Sequence, residues 1–195
     1  MREFACATPG VTLLKNDLNR GKGFAVARGM LACHGRYRVF TDADLAYPLE
    51  EVSEVVRHLE AGSDVVVACR VLPESRYDIS PSFFRYLYTR HLISRAFNWV
   101  VRHSLLEGIR DTQAGLKGFT SLAADVLFRR QTVHGFGFDV ELLCIARHHG
   151  LRVTQMAVHY RYDHEPSTVR FARDAIAILR DLVQIQWNRM RGRYR

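Results

Sequence analysis

Lysine is nearly absent from this chain. Only Lys15, Lys22 and Lys117 carry an ammonium group among 28 cationic residues in 195, so arginine is the default cation and an isolated arginine says little. Cysteine is scarce as well. Cys6, Cys33, Cys69 and Cys144 lie far apart in apolar surroundings with no C-x-x-C spacing, which fits reduced, buried thiols in a reducing compartment better than a disulfide frame or a zinc site. No continuous apolar run approaches the roughly 18 residues of a spanning helix, and "MREFACATPG" contains no apolar core of a signal peptide. Any membrane contact is therefore expected to be peripheral. Repeats, low-complexity tracts and linkers are missing too, so residues 1–195 are expected to form one domain.

Positive charge is what the chain has in excess. A formal charge of +8 and a pI near 9.7 point to anionic partners: nucleic acid, an acidic membrane surface or a phosphorylated substrate. The basic residues are spread along the chain without an aromatic-interleaved patch, which ranks nucleic acid last.

Elements alternate in type. "VTLLK" (11–15) reads as a strand, "KGFAVARGMLACH" (22–34) as a helix, and "RYRVF" (36–40) as a second strand. Pro48 suits the first turn of a helix whose stripe Val52, Val55, Val56, Leu59 stops at Gly62, and "DVVVAC" (64–69) has the composition of a strand buried on both faces. Strand, helix, strand, helix, strand predicts an α/β fold with a mostly parallel sheet, whose ligands bind beyond the carboxyl ends of the strands. Three polar signals fall at those ends: "NDLNRGKG", "TDADL" and Arg70.

Farther on, a long helical segment is expected from about 82 to 106. The loop "EGIRDTQAG" follows, then a short strand at 116–119, helices at 122–129 and over "FDVELLCIARHHG", and an alternating edge strand "LRVTQMAVHYRY". The last element, about 167–187, places Ala172, Ala175, Ile176, Leu179, Leu182 and Val183 on one face, with Arg170, Arg173, Arg180 and Asp181 opposite. It is expected to be an amphipathic helix that packs its apolar face, with a basic tail (Arg189, Arg191, Arg193, Arg195) drawn to an anionic leaflet.

At "NRGKG", "FTDADL", "ACR", "GIRDTQAGLKGF" and "FGFDVELL" the sequence resembles the family 2 glycosyltransferases of GT-A fold. Within them it is most similar to the branch that makes polyprenyl-phosphate sugars, to which the dolichyl-phosphate β-glucosyltransferases belong. The resemblance runs from about Thr12 to Leu182, and the ordered set from Arg110 to Gly115 followed by Lys117 and Phe119 is its specific part. Family members open with a strand and an acidic strand end that form the uridine site. This chain begins after both, so the resemblance implies a fold lacking its first strands.

The resemblance implies a donor site at Asn19, Gly21, Lys22, Asp42 and Asp44, with Mg²⁺ or Mn²⁺ on Asp42 and Asp44. Paired carboxylates are hard oxygen ligands for such ions, and a bridging cation would neutralise charge developing on a diphosphate leaving group. On a continuous strand Asp42 and Asp44 would point to opposite sides, so a turn is required there. The competing reading is that one caps the helix after Pro48 and the other is solvated. "NRGKG" offers backbone N–H groups at a helix start, with Lys22 beside them, but lacks Walker spacing, and a plain glycine turn competes.

By the same resemblance Arg70, Arg90 and Ser94 would hold the acceptor phosphate, with Arg85 as a rival, and Arg110 and Gln113 would lie near the site. A polyprenyl phosphate arrives ionised, so it needs orientation more than a strong base. Asp111 could steer the sugar as a catalytic group or act one contact removed, and a loop aspartate bonding its own turn is the plain alternative. The family pattern assigns either Asp139 or Glu141 to the site. Three functions result: an inverting, metal-dependent hexosyltransferase at the cytosolic membrane face that moves glucose from UDP-glucose; a non-catalytic remnant that keeps the acceptor half; and a basic nucleic-acid binder.

Overall fold

The computed structural model describes residues 2–44, 46–79, 105–162 and 171–195. The helices are α1 (Arg2–Ala7), α2 (Lys22–Ala32), α3 (Leu49–Glu60), α4 (Ser121–Arg130), α5 (Phe138–His148) and α6 (Phe171–Met190). The strands are β1 (Tyr37–Thr41), β2 (Val65–Cys69), β3 (Arg76–Ile79), β4 (Leu116–Thr120), β5 (Val153–Ala157) and β6 (His159–Tyr162).

β2 organises the molecule. Its five residues are all fully buried because helices cover both faces of the sheet, which is why "VVVAC" shows no polar alternation. Val65 and Val67 meet Phe119, Leu127, Phe138 and Ile145 on the side of α4 and α5. Val66 and Ala68 meet Val55, Leu59, Leu116 and Met156 on the side of α3. The period-2 alternation of a strand thus feeds two separate cores. On α3 the expected stripe holds, with Val55 and Leu59 buried, and the helix ends at Gly62, whose φ of 97° is costly for any residue with a Cβ. Helix α4 is capped by the Thr120 hydroxyl, which accepts from the Ala123 N–H at 3.2 Å.

Strand order in the main sheet is β1-β4-β2-β5. β4 runs antiparallel to both β1 and β2, and β5 pairs parallel with β2, so three of the four strands share one direction. The sequence pattern anticipated the shared direction but not the insertion of β4 between β1 and β2. That pairing joins segments about 75 residues apart, which local periodicity cannot reveal.

Residues 11–15, read above as a strand, form no ladder. Val11, Leu13 and Leu14 are exposed, and the segment is tied down by the Arg28 guanidinium, which donates to the Lys15 carbonyl and the Asn16 side chain. β propensity becomes a strand only beside a partner strand. The expected edge strand 151–162 is split at Val158. β5 belongs to the main sheet, whereas β6 pairs parallel with β3 in a separate two-stranded sheet.

On α6 the buried face is Leu182, Ile185 and Asn188, not Leu179 or Val183, which are 54% and 72% exposed. The side chains of Arg170, Ala172, Arg173, Ala175 and Ile176, and the long helix expected at 82–106 up to residue 104, lie outside the described residues. Cys69 and Cys144 are buried thiols as expected, but Cys33, just past the end of α2, is exposed.

Candidate active site

Strand β1 delivers Asp42. The Asp42 N–H donates to the Gly115 carbonyl at 2.9 Å, which extends the β1–β4 pairing one residue beyond Thr41. Its carboxylate then lies directly over Gly115, where a Cβ would sit 2.1 Å from Asp42 Oδ2, so only glycine fits opposite it. Lys22, the first residue of α2, reaches the other oxygen with Nζ at 2.7 Å from Oδ1, both side chains half-exposed. Gly21 makes this approach possible: its φ is 100°, and a Cβ there would be 2.4 Å from the His134 carbonyl. Asn19 Oδ1 accepts the Gly21 N–H at 3.0 Å, shaping the same loop. Asn19, Gly21, Lys22 and Asp42 therefore converge as the sequence predicted.

Asp44 follows in the required turn. It is exposed, and its Oδ1 accepts the Ala46 N–H at 3.2 Å, an Asx-type closure that lets the chain reverse before Pro48. Pro48 itself is the N-cap of α3 rather than its first residue. Tyr47 is buried, and its hydroxyl accepts the Gly115 N–H at 3.3 Å. Burial pushes the Tyr47 phenol well up, so it stays neutral.

Behind Asp42 lies a buried ion pair. Lys117 is fully buried in β4, and its ammonium donates to Asp139 Oδ1 and to the Ala114 carbonyl, each at 2.6 Å. Asp139 sits in the first turn of α5, where a helix N-terminus favours its charge. Burial pushes its pKa up, and Lys117 and Lys22 oppose that rise. Asp139 is thus the member of the Asp139/Glu141 pair that faces the Asp42 site. Glu141 serves another purpose: completely buried, it accepts from the Thr132 N–H and hydroxyl, the Val133 N–H and the Tyr194 hydroxyl, at 2.6 to 2.8 Å.

At the end of β2, Arg70 and Asp111 form a closed unit. Arg70 Nε and Nη2 donate to Asp111 Oδ2 and Oδ1 at 2.8 and 3.0 Å, and the Arg70 N–H donates to Oδ2 at 3.0 Å. Asp111 is 1% exposed; burial alone would raise its pKa, but the Arg70 guanidinium overrides burial and holds the carboxyl below its usual range. Both oxygens are engaged, so this is neither a loop aspartate bonding its own turn nor a free proton acceptor. The Arg70 guanidinium stays 30% exposed and lies over the Tyr160 ring at 5.7 Å, while Tyr160 meets Tyr47 edge-on. Arg110 is an exposed residue whose N–H donates to Gln155 Oε1, and Gln113 is half-buried. Arg85, Arg90 and Ser94 lie outside the described residues.

Two groups given no role in the expected site thus hold it together: the Tyr47 hydroxyl on Gly115 and the buried Lys117, which pairs with the expected Asp139. The second had a signal, since a lysine inside the apolar strand "LKGF" must find a buried partner in a chain with only three lysines.

Among the described residues no cluster of three or more His, Cys, Asp or Glu could enclose a metal ion. Asp42 is part-exposed and Asp44 exposed, so both carboxylates reach solvent. This donor chemistry fits a divalent ion that takes its other ligands from a diphosphate and water, as Mg²⁺ commonly does.

The model of the Glycosyl transferase family 2 matches residues 1–112. The chain belongs to that family. Among curated relatives it is 30% identical over 176 residues to a dolichyl-phosphate beta-glucosyltransferase of Dictyostelium discoideum, covering 86% of this chain and 53% of that protein. It is 33% identical over 155 residues to the protein of that name from Homo sapiens, covering 77% and 46%. The chain thus spans about half the length of the curated relatives it matches. Glucosyl-3-phosphoglycerate synthase of Mycobacterium tuberculosis, solved with Mn²⁺ and UDP-glucose, superposes with a TM-score of 0.60 at 18% identity, over 89% of this chain and 56% of that one. That likeness establishes the GT-A fold, with the α/β architecture anticipated from the sequence.

Proposed function

We propose that this chain transfers a glucosyl group, with inversion, from a nucleotide diphosphate sugar such as UDP-glucose to a polyprenyl, dolichyl-type phosphate. The single observation that carries the reading is the convergence of Lys22, Asp42 and Gly115 where the "NRGKG" loop meets the end of β1. A cationic helix start faces a carboxylate there, and both complement a metal-bound diphosphate. The names of the relatives supply the sugar and the acceptor class.

Asp42 and Asp44 would hold a Mg²⁺ or Mn²⁺ ion. When bound, that ion supplies charge neutralisation to the departing diphosphate. Lys22, now on Asp42, would turn to the diphosphate, with Asn19 and Gly21 keeping the loop in shape. Arg70 spends Nε and Nη2 on Asp111 and, among the described residues, has no bond at Nη1, so a tethered guanidinium whose side chain is 30% exposed is available to an acceptor phosphate. Asp111 then acts as a positioning residue for Arg70, because an ionised phosphate needs orientation rather than a base of its own. Arg90 and Ser94 remain the acceptor-phosphate residues, and Arg110 and Gln113 the loop residues near the site, implied by the family pattern, and the work is assigned to the cytosolic membrane face.

Calorimetric titration of UDP in Mn²⁺ tests the donor half. Saturable, metal-dependent binding that Asp42→Asn weakens by tenfold or more is the expected result. Equal binding with and without metal would sink the assignment of Asp42. A second reading, an acceptor-side module without donor binding, is favoured by residues 11–15, which have no sheet partner among the described residues. Absence of UDP binding by a folded chain would support it.

A further inference from the structure

Among its described side chains, helix α6 carries two faces with apolar residues, one packed and one exposed. Leu182, Ile185 and Asn188 pack inward, and the C-terminal turn closes over them with Tyr194 1% exposed. Leu179, Val183, Trp187 and Met190 are 54%, 72%, 51% and 66% exposed. At 100° per residue these four fall within an arc of roughly 80°, on the opposite side of the helix from the packed face. Sequence periodicity merges the two faces into one broad apolar helix.

The polar residues around the stripe are almost all of one sign. From residue 177 to the end there are five arginines, Arg180, Arg189, Arg191, Arg193 and Arg195, all exposed, against one acid, Asp181. That acid is turned inward: its Oδ2 accepts the Gly137 N–H at 3.1 Å at the start of α5. On the same helical projection Arg180 and Arg191 flank one edge of the stripe, Arg189 falls between Leu182 and Ile185, and Arg193 and Arg195 lie in the turn after α6, so the outward side is apolar at its centre and cationic along one edge and at its C-terminal end. Trp187 stands in the stripe with the Arg191 guanidinium 4.3 Å from its ring centroid, a pairing of an amphipathic ring with a cation that suits the boundary between acyl chains and headgroups.

We propose that this face of α6 lies flat on an anionic lipid surface. Leu179, Val183, Trp187 and Met190 enter the acyl boundary, and the arginines meet headgroup phosphates. A second copy of the chain fits less well, because two such faces would bring their arginines together, whereas an anionic bilayer supplies the opposite charge. The inference rests on the functional reading only for its purpose, to hold the site beside a lipid-borne acceptor; the stripe and its arginines stand without it.

Co-sedimentation of the full chain with phosphatidylcholine vesicles, with and without phosphatidylserine, tests it, against the double variant Val183→Asp/Met190→Asp. Both residues point outward, so the variant should fold, and circular dichroism checks that. The expected result is binding to the serine-lipid vesicles that falls with salt and is weakened on the order of tenfold or more in the variant. A Trp99→Phe chain should also show Trp187 emission shifting to shorter wavelength on those vesicles. No vesicle binding, or binding that the double variant retains, would overturn the proposal. So would a concentration-dependent dimer that the variant abolishes while vesicles are ignored, which would make the stripe a self-interface. Glucosyl transfer to a short acceptor in detergent should be unchanged in the double variant, so failure of vesicle binding is separable from failure of the enzymatic reading.

Discussion

Removing either member of the Lys117–Asp139 pair should destabilise the protein far more than removing both. The two side chains are 0% and 5% exposed, and Lys117 Nζ lies 2.6 Å from the carboxylate. In Lys117→Met the stem volume is kept but a buried carboxylate loses its counter-charge, and in Asp139→Leu a buried ammonium keeps only the Ala114 carbonyl. Each single variant should cost about 3–5 kcal/mol, as expected when one partner of a buried pair is deleted. Lys117→Met/Asp139→Leu removes both charges and should recover most of that loss, giving a coupling energy of several kcal/mol in a double-mutant cycle. Urea unfolding followed by circular dichroism measures the four stabilities. Single variants costing under about 1 kcal/mol, or costs that simply add, would refute the claim that the pair is a coupled, desolvated unit. The site should respond in parallel, since Lys117 pairs with Phe40 across β1 and its ammonium holds the turn before Gly115. The double variant is expected to fold but to bind Mn²⁺–UDP more weakly than wild type.

Gly115→Ala should displace the Asp42 carboxylate, because the new Cβ would lie 2.1 Å from Oδ2; about 1–3 kcal/mol of stability and most metal-dependent UDP binding should be lost, as read by thermal unfolding and calorimetry. Tyr194→Phe takes a hydroxyl from the buried Glu141 carboxylate and should cost about 1.5–3 kcal/mol in urea unfolding, with UDP binding unchanged, since Glu141 bonds Thr132, Val133 and Tyr194 rather than the Asp42 loop. For Asp111 the sign is set by its depressed pKa: the unfolded carboxyl binds protons first as pH falls, so stability from the Arg70 contact is complete above about pH 4 and is lost as pH falls through the lower, folded value. Asp111→Asn should be less stable at pH 7 and lose less on acidification than wild type; equal acid sensitivity of the two proteins would contradict the fork.

Elements defined by local pattern were legible in the sequence. β2 announced itself as a strand buried on both faces, and α3 as a striped helix ended by glycine, because period and composition are local properties. What escaped was the partner of each segment. "VTLLK" has the composition of a strand but no ladder among the described residues, and β4 inserts between β1 and β2 through long-range pairing. On α6 a broad apolar pattern concealed which half packs. In the candidate site, the place of Asp42 just beyond β1 was legible from the strand-end rule, whereas "NRGKG" rested on its motif alone, since residues 11–15 before it form no ladder. At Arg70 the strand-end position was legible but not the tether, since nothing in the spacing from 70 to 111 tells that Asp111 folds back onto it. Asp139 and Glu141 could not be told apart until Lys117 and Tyr194 identified their separate neighbours.

The most direct test is transfer of labelled glucose from UDP-glucose to a short polyprenyl phosphate in detergent, with Mn²⁺ or Mg²⁺, comparing the chain with Asp44→Ala. Asp44 is exposed and, among the described residues, bonds only the Ala46 N–H, so its loss should spare the fold. Metal-dependent formation of glucosyl-phosphoryl lipid that the variant lacks is the expected result. A folded chain that binds metal and UDP yet yields no product, or a variant as active as wild type, would contradict the account.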